Sequence, residues 1–190
     1  MEKTDIRVRF TRKVLQDSLL ALMKEKSILH ISIKEICEAA GLSRSTFYTH
    51  YNDQFDLLRE IEEQTHIEAD KIVQSHIRMT QKSRNRDNLS ILHDILQYIA
   101  DNSNSIQVLL SENGDRAFQK KFIRHGIEGS SQFIAAAGVK LENEKVRKYS
   151  FVFLISGVLA LVQEWLKNGM DTPVPDLAKM LSKLTREVLR

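Results

Sequence analysis

Apolar residues in the first fifty positions recur at helical spacing in three short blocks divided by polar breaks. Leu15, Leu19 and Leu22 stand at i, i+4 and i+7, with Val14, Ser18 and Ala21 beside them. Thr11 is placed to cap that helix, which carries to about Lys24. Residues 25–31 then make a connection. Ile33, Ile36, Cys37 and Ala40 repeat at i, i+3, i+4 and i+7 and form the inward stripe of a second helix. Ser32 followed three positions later by Glu35 completes an S-x-x-E capping box, so this helix starts near Ile33. Gly41 supplies the positive φ that reverses the chain, Leu42 plugs the corner, and Ser43 caps a third helix running to roughly His50.

On the third helix Phe47 and Tyr51, four residues apart, turn toward the other two helices, while Arg44, Ser45, Tyr48 and Thr49 point away. Two helices joined by a tight glycine turn, the second presenting a compact polar face led by an arginine, match the geometry that enters the major groove of a duplex. A fourth helix starts at Asn52 or Asp53 and continues through Phe55, Leu58 and Ile61 toward Met79. The polar segment TQKSRNRDN at 80–88 reads as a loop. Further helical patterns cover 89–100, 105–111, 116–137, 144–167 and 175–189, punctuated by Asn113-Gly114, Gly138, Pro173 and Pro175. No alternating strand pattern competes with them. The expected fold is all-α: a three-helix head linked by the long fourth helix to an antiparallel helical bundle, about nine helices in total. The head takes residues 1–56 and the bundle 57–190.

Composition changes this picture little. Apolar residues make up 42% and charged residues 28%, with a formal charge of +3, ordinary values for a globular protein. The charge is concentrated at the front, where Lys3, Arg7, Arg9, Arg12 and Lys13 are opposed only by Glu2 and Asp5. Such an arm suits a phosphate backbone. Cys37 is the single cysteine and belongs to an apolar stripe, so it reads as a packed thiol, and a cytoplasmic protein without disulfides is expected. The apolar run from Tyr149 to Gln163 is short for a membrane span and reads as a buried helix. A helix apolar on nearly all sides needs cover from a second copy of the chain, which implies a homodimer.

The stretch ISIKEICEAAGLSRSTFYTHYNDQFDLL, Ile31 to Leu58, resembles the head of the TetR family of bacterial transcriptional regulators, and the likeness reaches back to about Arg9. The segment from Tyr149 to Leu181 is similar to the C-terminal domain of a Gram-positive subgroup related to the dihydroxyacetone kinase regulator. The resemblance implies a DNA-binding regulator, most simply a repressor that occludes a promoter at a palindromic operator, with an activator of the same fold as the alternative. It implies that Arg44 and Ser45 read base edges, that Thr46 and Thr49 lie near bases, and that Tyr48 and His50 hold phosphates. Ser32 and Ser43 offer capped helix N-termini to the backbone. Gln54 stands where the family commonly has a lysine, and Asp53 adds a negative charge beside it, which shifts phosphate binding toward Arg7, Arg9, Arg12 and Lys13.

For the bundle the resemblance implies a small apolar or amphipathic effector. Phe118, Phe122, His125, Phe151 and Trp165 are the candidate lining, with Phe153 a further aromatic. No cofactor, metal or membrane partner is expected. Glu62 with His66 at i+4, and then His76, superficially suggests a metal or acid-base cluster. A metal site needs three or four convergent ligands, and His76 lies nearly three turns farther on, so an enzyme is not expected. A helical adaptor that has lost its DNA-reading face is the other rival, and Arg44, Tyr48 and His50 argue against it.

Overall fold

The computed structural model describes residues 2–83, 88–136 and 143–188. Among the described residues it forms nine α-helices and no strand: α1 (Glu2–Met23), α2 (Ile33–Ala40), α3 (Arg44–Tyr48), α4 (Gln54–Ser83), α5 (Asn88–Asp101), α6 (Ser103–Leu109), α7 (Arg116–Ala136), α8 (Glu144–Lys167) and α9 (Val174–Val188). A short 3₁₀ turn at Ile28–His30 joins α1 to α2. The last residue of the sequence-predicted α7 and the end of α9 fall outside the described residues.

The start of α1 differs from the sequence reading. Helix α1 begins at Glu2, so Thr11 sits inside it and caps nothing. The first two turns hold Glu, Lys and Arg, all good helix formers, and extend the helix well before its apolar stripe begins. That stripe is Leu15, Leu19 and Met23, all fully buried, whereas Leu22 is only partly covered. These side chains meet Ile36 and Cys37 of α2, Phe47 of α3, and Leu57, Leu58 and Ile61 of α4 in one apolar core. Burial raises the Cys37 thiol above its usual range, as expected for a packed cysteine.

Helix α4 has 30 residues and belongs to the head and the bundle alike. Its first turns close the head core. Its later turns lie along α7 and α5. Val73 meets Gly129 of α7 so closely that a Cβ there would stand 3.0 Å from its methyl carbon, so the glycine sets the helix separation. The core itself runs on without interruption from Leu57 through Leu96, Leu109, Phe118, Trp165 and Leu177, joining the head to α5, α6 and the C-terminal helices.

Helix α8 carries the apolar run noted in the sequence. It has 24 residues, long and apolar enough to cross a membrane by length and composition, although the run alone reads as too short. Within the chain it buries Phe151, Leu154, Val162, Trp165 and Leu166, and leaves Tyr149 at 61% and Phe153 at 66% exposed.

One buried polar link pins α4 to α5. The His76 ring is buried and its Nε2 lies 2.9 Å from Asp94 Oδ2, while His93 Nδ1 approaches Asp94 Oδ1 at 3.2 Å. The bond to His76 is the main reason that the Asp94 carboxyl is held below its ordinary value, with His93 adding to it. A lowered carboxyl contributes stability above its unfolded pKa and loses it as pH falls through the folded value. Asp94 is about half exposed, so solvent screening limits the effect to about 0.2–1 kcal/mol. Asp94→Asn should therefore be less stable than the parent near neutrality in urea denaturation, with the gap closing once pH falls below the ordinary carboxylate range. An identical gap at both ends of that series would contradict the assignment.

Candidate nucleic-acid interface

The α2–α3 unit is built almost entirely by caps. Ser32 Oγ accepts from Glu35 N–H at 3.3 Å and Glu35 Oε2 accepts from Ser32 N–H at 2.9 Å, which closes the capping box. Lys26 also binds Glu35, and this contact together with the Ser32 bonds pulls the Glu35 carboxyl down to about 2. Helix α2 ends at Gly41, whose φ of 64° and ψ of 30° place it in the left-handed region. The turn is sealed by Leu42 N–H to Cys37 O at 2.9 Å.

Helix α3 is only five residues long, because Thr49 already closes its C-terminus. It is shorter than the pattern toward His50 suggests. Ser43 Oγ accepts from Thr46 N–H at 3.1 Å and lies 2.8 Å from Ser45 Oγ and 2.9 Å from Thr46 Oγ1. Thr49 Oγ1 donates to Ser45 O at 2.9 Å. Phe47 and Tyr51 are buried, and their rings lie 5.8 Å apart. Arg44, Ser45, Tyr48 and Thr49 are exposed, with Thr46 and His50 at the edge of that face. Among the described residues no hydrogen bond or ion pair occupies the Arg44 guanidinium.

Beside this face is a surface hollow of about 520 Å³ lined by Leu29, His30, Ile31, Ser32, Ile33, Lys34, Arg44, Tyr48 and Gln54. It brings together the capped N-terminus of α2, both ends of the short α3 and the first residue of α4. A helix N-terminus flanked by Lys34, His30 and Arg44 favours an anion. His30 and Lys34 are not singled out by the sequence reading. His30 is brought there by the 3₁₀ turn, which helical periodicity does not reveal, and Lys34 by the first turn of α2.

At the start of α4, Asp56 N–H donates to Asp53 Oδ1 at 2.7 Å, so Asp53 caps the helix, while Asp56 Oδ2 accepts from Asn52 N–H at 3.2 Å. Gln54 is its half-buried first residue. The basic front of the chain is helical and differs from a loose arm. Arg7 and Arg9 lie exposed on α1, and Lys13 pairs with Asp17 at 2.8 Å. Arg12 faces inward instead: Nη1 is 3.2 Å from Glu60 Oε1, and the guanidinium lies 5.9 Å from the centre of the Tyr51 ring. It fastens α1 to α4.

The candidate lining of the bundle separates into two groups. Phe118, Phe122 and His125 form a ring stack on α7 that also includes His66 of α4. Trp165 shares the main core with Phe118 but lies outside this ring group, its Nε1–H donating to Thr172 O at 2.8 Å. Phe151 is buried on α8, whereas Phe153 is exposed.

An all-helical chain with a capped helix-turn-helix at one end and a bundle at the other has the architecture of a helix-turn-helix transcriptional regulator. The transcriptional regulator C-terminal region of the TetR family matches residues 87–187, and the chain belongs to that family. A curated HTH-type regulator of Bacillus subtilis, YxbF, is 40% identical over 47 residues, 25% of this chain. The matched stretch spans only 12% of that relative's length. NalD of Pseudomonas aeruginosa, described as the secondary repressor of the MexAB-OprM multidrug efflux pump, superposes with a TM-score of 0.70 at 22% identity, covering 95% of this chain and 97% of NalD. The dihydroxyacetone kinase operon activator DhaS superposes with a TM-score of 0.55 at 16% identity, covering 94% and 96%.

The cap geometry carries two expectations for stability and recognition. Replacing Gly41 by alanine meets no atom within 4 Å, so its cost is the left-handed backbone alone, about 1–2 kcal/mol in a denaturant midpoint. A loss much above that would point to a hidden steric role. Arg44→Ala should leave thermal stability unchanged and weaken discrimination at one base pair by about 1–3 kcal/mol in competition binding.

Proposed function

We propose that this protein is a homodimeric, sequence-specific DNA-binding regulator that represses transcription by occupying a palindromic operator. The observation that carries this reading is the exposed α3 face, led by Arg44 and Tyr48, set beside a hollow whose polar lining suits a phosphate. Arg44 and Ser45 read base edges, and Thr46 and Thr49 lie close to them. Tyr48, His50, Gln54 and the capped starts of α2 and α3 at Ser32 and Ser43 hold the backbone, joined by Arg7, Arg9 and Lys13 of α1. Arg12 contributes indirectly by setting the α1–α4 angle. His30 and Lys34 join the phosphate contacts. We assign residues 1–56 to the DNA-reading head and 57–190 to the dimerising and effector-binding body.

Dimerisation is supported by the exposed apolar stripe Val146, Tyr149 and Phe153 on α8, continued by Met180 and Leu184 on α9. A second copy covers both helices at once. The same surface makes an aqueous, cytoplasmic dimer the preferred setting for α8 over a membrane. A small apolar or amphipathic effector enters the body and shifts the balance between head spacings, and no catalytic step is involved. DhaS is described as an activator and NalD as a repressor, so operator position relative to the promoter decides the sign.

Enrichment from random duplexes should return one palindrome with half-sites about one helical turn apart, and binding should weaken steeply as salt rises. In vitro transcription from the promoter bearing that palindrome should fall on adding the protein; a rise would assign it as an activator, and no selected sequence would remove the DNA-binding reading. Phe153→Glu should convert the dimer to monomer in sedimentation and weaken operator binding at least ten-fold without unfolding the head. A variant that stays dimeric would place the interface elsewhere.

A further inference from the structure

Helix α4 carries two ionisable side chains that the DNA-reading face does not use. Glu62 and His66 lie one turn apart on the side of the helix that meets α7. Glu62 Oε1 and His66 Nε2 are shielded from solvent, and neither has a hydrogen-bond partner among the described residues. Such atoms are uncommon in a finished core, because each loses its water without a replacement. Facing them is the α7 stripe Phe118, Phe122 and His125, whose ring centres lie 4.9, 5.7 and 5.1 Å from that of His66. Phe118 is buried, Phe122 half-buried and His125 exposed, so the stack is open to solvent at its His125 end.

The surrounding charges set the chemistry of the pair. Burial and the nearby Asp115 push the Glu62 carboxyl up to about 7, against the opposing pull of Lys121 on α7 and Arg59 on α4. Burial, then Lys121 and His125, bring His66 down to about 4, so its ring is neutral at neutral pH. A neutral ring can accept at Nε2 when its proton sits on Nδ1. The two unpartnered atoms are then both acceptors, beside the faces of aromatic rings.

We infer that the Glu62–His66 edge of α4 and the Phe118–Phe122–His125 stripe of α7 bind an organic cation with a flat apolar body and an N–H-bearing positive end, such as an amidinium or a protonated aryl amine. This rests on the reading that the body receives an effector and names that effector's chemistry. The cation's N–H groups satisfy the two acceptors, and its charge is attracted by the ring faces. A neutral apolar molecule would leave both acceptors bare. An anion would meet the Glu62 carboxylate, which Lys121 and Arg59 only partly offset. Because α4 also closes the head core, a ligand wedged at Glu62 and His66 acts directly on the helix that aims α3.

Three probes of one shape separate these cases by calorimetry on the full chain: 4-phenylbenzamidinium, 4-phenylbenzamide and 4-phenylbenzoate. The amidinium should bind at least ten-fold tighter than the other two, and its affinity should rise between about pH 6 and pH 8 as Glu62 ionises. Glu62→Gln keeps the side-chain shape, and should lose that preference and the pH dependence while its melting temperature holds. Equal binding of all three probes, preference for the carboxylate, or unchanged amidinium affinity in a folded Glu62→Gln protein would overturn the assignment. Operator binding is measured on the same samples. Intact operator binding with no amidinium binding overturns the site and leaves the regulator reading standing, whereas amidinium binding without any change at the operator supports the site and removes its effector role.

Discussion

Helix α4 takes part in the packing of two regions at once, and the rest of the structure follows from that double membership. Leu57, Leu58 and Ile61 complete the head, while His76 and Ile77 lie against the body two dozen ångströms or so farther along the same axis. An unbroken helix transmits rotation and tilt with little loss, so the position of α3 is tied to whatever α5 and α7 do. Arg12 strengthens the tie by holding α1 to Glu60, under the ring of Tyr51. The Tyr51 phenol, buried beside Glu60, is held well above its usual range and stays a neutral packing group.

Helix α3, the proposed DNA-reading element, has almost no core of its own. A five-residue helix is far below the length at which helices persist in isolation, so α3 depends on Phe47 beneath it and on the caps at either end. The hydroxyls of Ser43, Ser45 and Thr46 are gathered at its N-terminus, and Thr49 is bonded back to Ser45 O. These bonds give the free protein a preformed surface. In the proposed complex Ser45 and Thr46 would exchange these partners for a base or phosphate, whereas Arg44 has no ion pair among the described residues to give up.

Features written in local chemistry were legible from the chain. The capping box at Ser32 and Glu35, the left-handed Gly41 and the Ser43 cap each involve residues within four positions of one another. Burial of Phe47 and exposure of Tyr48 follow from helical spacing alone. What escaped notice either lacks a periodic signal or joins distant segments. The front of α1 carries Ile6, Val8 and Phe10 among charged residues without a buried stripe, so Thr11 resembles a start. Asp53 is legible both as a start of α4 and as a charge near phosphate, whereas the bond from Asn52 N–H to Asp56 has no sequence signal of its own. His66 looked like a failed metal ligand because nothing in its own segment indicates that Phe118, Phe122 and His125 lie opposite. Arg12 could not be told from its exposed neighbours until Glu60 and Tyr51 were placed beside it.

The proposed regulator holds the α3 helices of its two copies at a fixed separation because each α4 is rigidly shared between head and body. The dipolar distance between spin labels at Ala39→Cys, an exposed α2 position outside the proposed DNA contacts, in a Cys37→Ala background, with and without operator DNA, measures this separation. One narrow distribution is expected on the operator, as for recognition helices held about 34–36 Å apart. A broad distribution that the operator leaves unchanged, or no measurable coupling at all, would contradict it.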